Sequence, residues 1–459
     1  MTKVIISALL LFATAGAQAE VQVFSHLASV GASLPSLPKG FSPIQVNGPA
    51  LFGMAIGSEA VMSRPGRRPA YAIVYDRVEN HQSGNKTWIG HLRDYGENYR
   101  VVITSGSEGS WGRILTPDGE RIVGTQSGQE WLVDANAAGL SEFIPEMDDG
   151  LIPPDAAERI AAARKSAPTR VEMDAPSSQS TVDVMVVYTQ SLVDQLGGAL
   201  QARVDHLVAI TNQAYIDSQI AITLRLVHAA PVSYSDNTSN YTAINELTGV
   251  GGFSVPASLS AVSTWRDAYG ADLVVLMRAF NSLTQVSCGR GWIGGYGGAG
   301  TLTGWDSYGY SVVSNGIDIN WTGTGGYIYC GDLTFAHELG HNMGSLHDHR
   351  TEGTSAARGV FPYTFGYGVD YSFATVMAYP SSFYAMQIGR FSNPLALCSG
   401  VACGVSSTGG AGSETWADGA LSMNNIRSEV AAWRPTKVKN FSGAGSGFLT
   451  PIITYLLSD

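Results

Sequence analysis

The sequence predicts an α/β unit preceded by a β-rich region. Three observations carry that reading. From residue 181 onward, apolar strand-like runs alternate with stretches of helical spacing. Before residue 150, short alternating runs are separated by turn chemistry. Between them, from about 151 to 180, the composition shifts to Pro, Ala and Ser, as in a linker.

In the first region, Thr87–Leu92, Tyr99–Ser105, Trp111–Leu115 and Arg121–Thr125 read as strands, with Thr116-Pro-Asp-Gly119 as a turn. In the second, Val182–Tyr188 reads as a strand and Gln190–Ser218 as a helix. Ile220–Val227 and Ala271–Ala279 are further strands, with a helix at Ala257–Tyr269. Residues 289–331 hold 14 glycines in 43 positions, which favours loops and edge strands over helix. Asp332–Ser345 and Ser422–Trp433 return to helical spacing. A tail, 437–459, is Gly/Ser-rich and then apolar over about ten residues, too few to span a bilayer.

The chain has 459 residues, enough for two domains and a tail. Only 14% of residues are charged and the net charge is −11. No basic run is present, so a nucleic-acid partner is not expected. Met1-Thr-Lys3, an apolar run Val4–Ala15 and Ala17-Gln-Ala19 form the pattern of a secretory signal peptide over residues 1–19. Export is therefore expected, through a periplasm if the source is Gram-negative. No membrane span is expected in the mature chain. An oxidising destination favours disulfides among Cys288, Cys330, Cys398 and Cys403. Four cysteines allow three pairings. Proximity favours Cys398 with Cys403, leaving Cys288 and Cys330 to bracket the glycine-rich segment, worth about 2–4 kcal/mol. No CxxC spacing supports a cysteine metal site.

The chemistry concentrates in Thr334-Phe-Ala-His-Glu-Leu-Gly-His-Asn-Met-Gly-Ser-Leu-His-Asp348. His337 and His341 are four apart, so a helix presents both imidazoles on one face. Such a pair holds two corners of a tetrahedral zinc site. Gly344 can turn the chain sharply and return His347 as the third ligand. Three protein ligands leave one position open for water, the mark of a catalytic site. Glu338 can reach that water as a general base without ligating the metal.

His337-Glu-x-x-His341-x-x-Gly344-x-x-His347 resembles the extended zinc signature of the metzincin metalloproteases. Met377, in Thr375-Val-Met-Ala-Tyr-Pro380, matches that superfamily's methionine turn. Asp348, directly after the third histidine, is similar to the reprolysin (adamalysin-like) group, where an Asp supports the site. Tyr379 departs from reprolysins and is similar to astacins and serralysins, where it ligates zinc or stabilises the oxyanion; a packed turn tyrosine is the other reading. Together with Gly389-Arg-Phe-Ser-Asn-Pro394, the mixture resembles a bacterial reprolysin-like branch close to the secreted peptidyl-Asp metalloendopeptidases. The resemblance covers roughly 181–436. It implies a metzincin-like α+β catalytic domain, with a twisted, mostly parallel sheet, long helices, an active-site helix and a Met-turn. It also implies one catalytic zinc and hydrolysis of peptide bonds in protein or peptide substrates. Calcium has no signature here.

The β-rich region 20–180 reads as a propeptide, inhibitory to the unit 181–436, with a permanent accessory domain as the alternative. Arg164, Lys165 and Arg170 are candidate processing points. The region holds no cysteine, so latency through a cysteine on zinc is excluded and another ligand or steric blockage must serve. Arg350 and Arg358 are the only cations between His347 and Met377, and so the candidates for a pocket favouring acidic residues after the cut. A monomer is expected. A serine hydrolase is disfavoured by the lack of a G-x-S-x-G elbow. The non-enzymatic alternative is an exported, metal-supported adhesin or binding module.

Overall fold

The structure is a computed structural model, which describes residues 20–27, 39–64, 67–142, 149–166, 178–318, 327–353, 358–408 and 412–437. The signal segment 1–19, Arg170 and nearly all of the tail 437–459 lie outside the described residues.

The N-terminal region is a ten-stranded sheet. From Glu59 to Asp134, successive strands pair antiparallel with their chain neighbours, as tight turns dictate. The first strand kinks at Val23, so Val21–Gln22 pairs with Glu59–Arg64 while Phe24–His26 pairs with Phe41–Val46. One segment thereby joins both ends of the sheet and closes it into a barrel. Alternate residues such as Ile73, Trp88, Val101, Ile103 and Ile114 fill its core.

The second region has a sheet in which four strands run parallel: Ile222–Val232, Ser180–Thr189, Leu273–Ala279 and Tyr310–Asp318. The middle pair, Ser180–Thr189 and Leu273–Ala279, are nearly continuous apolar runs because they are covered on both faces, whereas Ile222–Val232 is a half-exposed edge strand. Two short strands, Gly289–Trp292 and Tyr327–Cys330, add antiparallel to Tyr310–Asp318. The elements expected from the sequence are present, with shifted ends. The long helix is interrupted by a 3₁₀ turn at Gly197–Ala199, so Gln190–Leu196 and Leu200–Asp217 are separate. The helix at Ala257–Tyr269 begins only at Val262. The two disulfides are Cys288–Cys330 and Cys398–Cys403.

Two strands ahead of residue 180 were not anticipated as part of this sheet. Leu140–Glu142 pairs parallel with Tyr327–Cys330. Gly150–Leu151 pairs parallel with Gly289–Trp292 and covers that strand's outer edge. The stretch between the barrel and the linker is thus woven into the second unit.

Helix Leu200–Asp217 is buried on nearly every side. Its apolar residues Val204, Leu207, Val208 and Ile210 belong to the main core. Its polar side chains meet the barrel instead. Asp217 pairs with Arg100 at 2.5 Å, Asn212 donates to Glu79, and Asp205 accepts from Ser83 and Asn85. Among the described residues, no helix is long and apolar enough to cross a membrane.

Candidate metal centre

Helix Thr334–Asn342 carries His337, Glu338 and His341, and all three are buried. The helix stops where Gly344 takes φ +82°, with its N–H donating to His341. The chain then reverses, and Leu346–Asp348 pairs with Phe365–Gly366. That reversal brings His347 back over the helix.

The three Nε2 atoms lie 3.1, 3.1 and 3.2 Å from one another. Each Nδ1 faces an acceptor. His337 donates to the Val376 carbonyl at 2.8 Å, His341 to the Ser345 carbonyl at 2.9 Å, and His347 to the Glu352 carboxylate at 2.9 Å. These acceptors fix the proton on Nδ1, so three Nε2 lone pairs converge on one point. Without a cation they would repel. Nitrogens about 2.0–2.1 Å from one ion, at tetrahedral angles, stand about 3.3–3.4 Å apart. The observed triangle fits zinc to within a few tenths of an ångström.

A fourth group shares that point. Asp149 Oδ1 lies 2.7 Å from His347 Nε2, 3.3 Å from His341 Nε2 and 3.4 Å from His337 Nε2. The four ligand atoms form the one such group found among the described residues. The sequence reading missed Asp149; its only signal was an acidic pair, Asp148-Asp149, before a glycine.

The residues around the histidines fall as follows. Glu338 is fully buried beside the strand Gly289–Trp292. A Cβ at Gly289 would overlap the Glu338 carboxylate. The glycine richness of this segment therefore has a local cause: the strand must pass directly over the carboxylate. Met377 lies beneath the helix, with its Sδ 2.5 Å from where a Cβ on Gly340 would stand. Tyr379 stacks on His347, with ring centroids 4.6 Å apart. Asp348 accepts from the backbone N–H groups of Arg350, Thr351 and Tyr379, tying the third histidine's segment to the methionine turn. Glu352, also missed, orients His347. Burial pushes its carboxyl up, but the bond from His347 prevails and holds it below its usual range.

Arg350 and Arg358 do not line the cleft beside the histidines, contrary to expectation. Arg350 pairs with Asp370 at 2.5 Å and lies over the Phe383 ring, half-exposed. Its charge is already met on the surface. Arg358 is exposed beside Gly298. The cleft itself is a cavity of about 650 Å³. Its walls include His337, Glu338 and Tyr379 on one side, and Arg113, Glu120 and Glu142 on the other.

The reprolysin-like metallopeptidase family M12B matches residues 178–409, about half of the chain. The chain belongs to that family. That family is one of metallopeptidases, and the group of three histidines is compatible with a zinc ion. A second family, the BamI lipocalin-like domain, matches residues 35–138, within the barrel. The peptidyl-Asp metalloendopeptidase of Pseudomonas aeruginosa is 34% identical over 298 residues, covering 60% of this chain but 44% of the relative. That of Stenotrophomonas maltophilia strain K279a is 24% identical over 375 residues, covering 79% of this chain and 80% of the relative. Among solved structures, metalloproteinase-II from Bacteroides fragilis overlaps with a TM-score of 0.38 and 12% identity, over 64% of this chain and 82% of that one.

Glu142 supplies a pH dependence. Burial and the neighbouring Glu120 and Asp332 push its carboxyl up to about 7, against the pull of Arg113; the Tyr329 phenol faces the same cluster. A raised carboxyl favours the folded state while protonated. Its contribution is full below its ordinary value of 4.5 and is lost as pH climbs through about 7. The thermal midpoint of the full metallopeptidase should therefore fall less between pH 5 and 8 in Glu142→Gln than in the natural chain. Equal falls in both would overturn this.

Proposed function

We propose that this chain is a secreted zinc endopeptidase, made as a zymogen and monomeric, in which Glu338 is the general base. Residues 20–180 act as an inhibitory propeptide of the unit 181–436. The observation that carries the catalytic part is the convergence of three Nε2 lone pairs beside one buried carboxylate, Glu338.

Zinc, when bound, acidifies a water and polarises the scissile carbonyl. The chain's residues do the rest. His337, His341 and His347 hold the metal, each aimed by its own Nδ1 acceptor. Glu338 takes the proton of the attacking water and delivers it to the leaving amine. The overhead strand Gly289–Trp292 keeps bulk water from its carboxylate, sharpening the proton transfer. Tyr379, whose ring stacks on His347, donates to the developing oxyanion in this reading.

The zymogen part is supported by the character of the barrel interface. Arg100–Asp217, Asn212–Glu79 and Asp205–Ser83 are polar pairs across it, beside apolar contacts made by Ile89, Val102, Leu115, Val133 and Ala135. The polar pairs lower what separation costs, as at interfaces that come apart. Arg164 and Lys165 end the helix Ala156–Ser166, between the barrel and the first central strand, where a cut would free the barrel. A preference for acidic residues after the cut is supported by the name of the relatives, peptidyl-Asp metalloendopeptidase, and not by Arg350 or Arg358.

Four measurements test this. Glu338→Gln should retain one zinc per chain and lose about 10²–10⁴-fold in casein hydrolysis. The natural chain should lose its activity to a chelator, which separates a protease from a metal-supported binding module. Full activity in Glu338→Gln would end the mechanism. The exported active protein should begin near residue 180 by N-terminal sequencing; a start at Glu20 with full activity would remove the zymogen. A peptide-library digest should show an acidic residue directly after the cut, and an apolar residue there would dispose of that preference.

A further inference from the structure

We infer that Asp149 is the latency ligand of this protein: in the unprocessed chain its carboxylate takes the fourth zinc position, and Gly150–Leu151 seals the adjoining sheet edge. This rests on the zinc-peptidase reading above and adds how the site is kept shut.

The geometry has three independent parts. First, Asp149 Oδ1 stands within 3.4 Å of all three Nε2 atoms, on the open face of their triangle. It caps the tetrahedron that the histidines leave incomplete. A carboxylate oxygen there excludes water by occupying its place. Second, the residues that follow continue as a strand. The Ile293 N–H donates to the Leu151 carbonyl at 2.8 Å, and the Gly291 N–H to the Asp149 carbonyl at 3.3 Å. Gly289–Trp292 is paired on its other side by Tyr310–Asp318, so this segment covers the edge a substrate backbone could use. Third, the segment is anchored beyond the site. Tyr308 donates to Asp155 at 2.7 Å, and Arg159 lies over the Tyr308 ring and donates to Ser307. The carboxylate is thus held from behind by a docked helix.

Gly150 is what lets the chain pass so close. A Cβ there would lie 2.9 Å from Ile293 Cδ1 and 3.0 Å from His341 Cε1. The pair Asp149-Gly150 therefore works as a unit: the first residue supplies the oxygen and the second the clearance. Opening the site needs no chemistry at the metal beyond exchange of this carboxylate for water. A cut in the chain between residue 151 and the first central strand lets the segment leave.

The test uses the full chain in a Glu338→Gln background, which prevents self-processing, loaded with cobalt(II) as a spectroscopic substitute for zinc. Acetohydroxamate is the probe of the open position. With Asp149 in place, the cobalt bands should be indifferent to acetohydroxamate at millimolar concentration. Asp149→Ala should change the bands, and acetohydroxamate should then titrate them at least ten-fold more tightly. Gly150→Val keeps the carboxylate but lifts the segment, and should open the site in the same way. Far-UV circular dichroism verifies folding of each variant. Unchanged bands and continued exclusion of acetohydroxamate in both variants would overturn the latency ligand. Failure of any full chain, Asp149 variants included, to take up cobalt at the histidines would instead overturn the zinc reading beneath it.

Discussion

Three imidazole lone pairs that meet within 3.2 Å are the constraint on which the rest of this structure depends. Such an arrangement is repulsive unless a cation sits among them. It must therefore be held by bonds made elsewhere in the protein. Each ring is held through its other nitrogen, and the three acceptors come from different places: the methionine turn at Val376, the helix exit at Ser345 and the following turn at Glu352. The metal site is thus the meeting point of three separate chain reversals. This is how outlying acceptors set both the tautomer and the aim of metal-binding histidines.

The supporting structure meets the barrel through polar pairs as well as apolar clusters, and meets the sheet through apolar packing. Helix Leu200–Asp217 shows both characters on one element. Its buried His206 bridges Thr104 of the barrel and Asp332, just before the zinc helix. Burial opposes the charge on Asp332, yet Arg203 and His206 hold its carboxyl below the usual range. A charged network therefore sits directly behind the active-site helix, where separation of the barrel would expose one side of it.

Local patterns were legible because their physics is local. His337 and His341 share a face by helical spacing alone, and Gly344 reverses the chain because its φ is positive. The parallel strands Ser180–Thr189 and Leu273–Ala279 announced themselves as apolar runs, whereas Tyr310–Asp318 lay hidden in the glycine-rich stretch expected to form loops and edge strands. Cys398 and Cys403 were close enough to pair by proximity. Other features escaped for the opposite reason. Asp149 is 188 residues from His337, and no periodicity joins them. Glu352 ends the one-turn helix His349–Glu352, where an acidic residue has no distinctive spacing. Arg350 was a free cation only on paper, since Asp370 answers it across a fold the sequence does not display. The helix expected over Gln190–Ser218 broke at two adjacent glycines, Gly197 and Gly198, which spacing alone passed over.

By itself the sequence determined the metal chemistry, the family resemblance and the alternation of strands and helices. These follow from residue type and short-range spacing, which the backbone converts directly into geometry. It also excluded a cysteine of the region 20–180 from the metal, because that region has none. Only the tertiary structure decided what stands at the fourth position. That required the chain to leave the barrel, add a strand to a distant sheet edge and deliver one carboxylate within hydrogen-bonding reach of three histidines. Such a placement is fixed by long-range pairing and by the fit of one glycine over one imidazole, and neither leaves a periodic trace in the sequence.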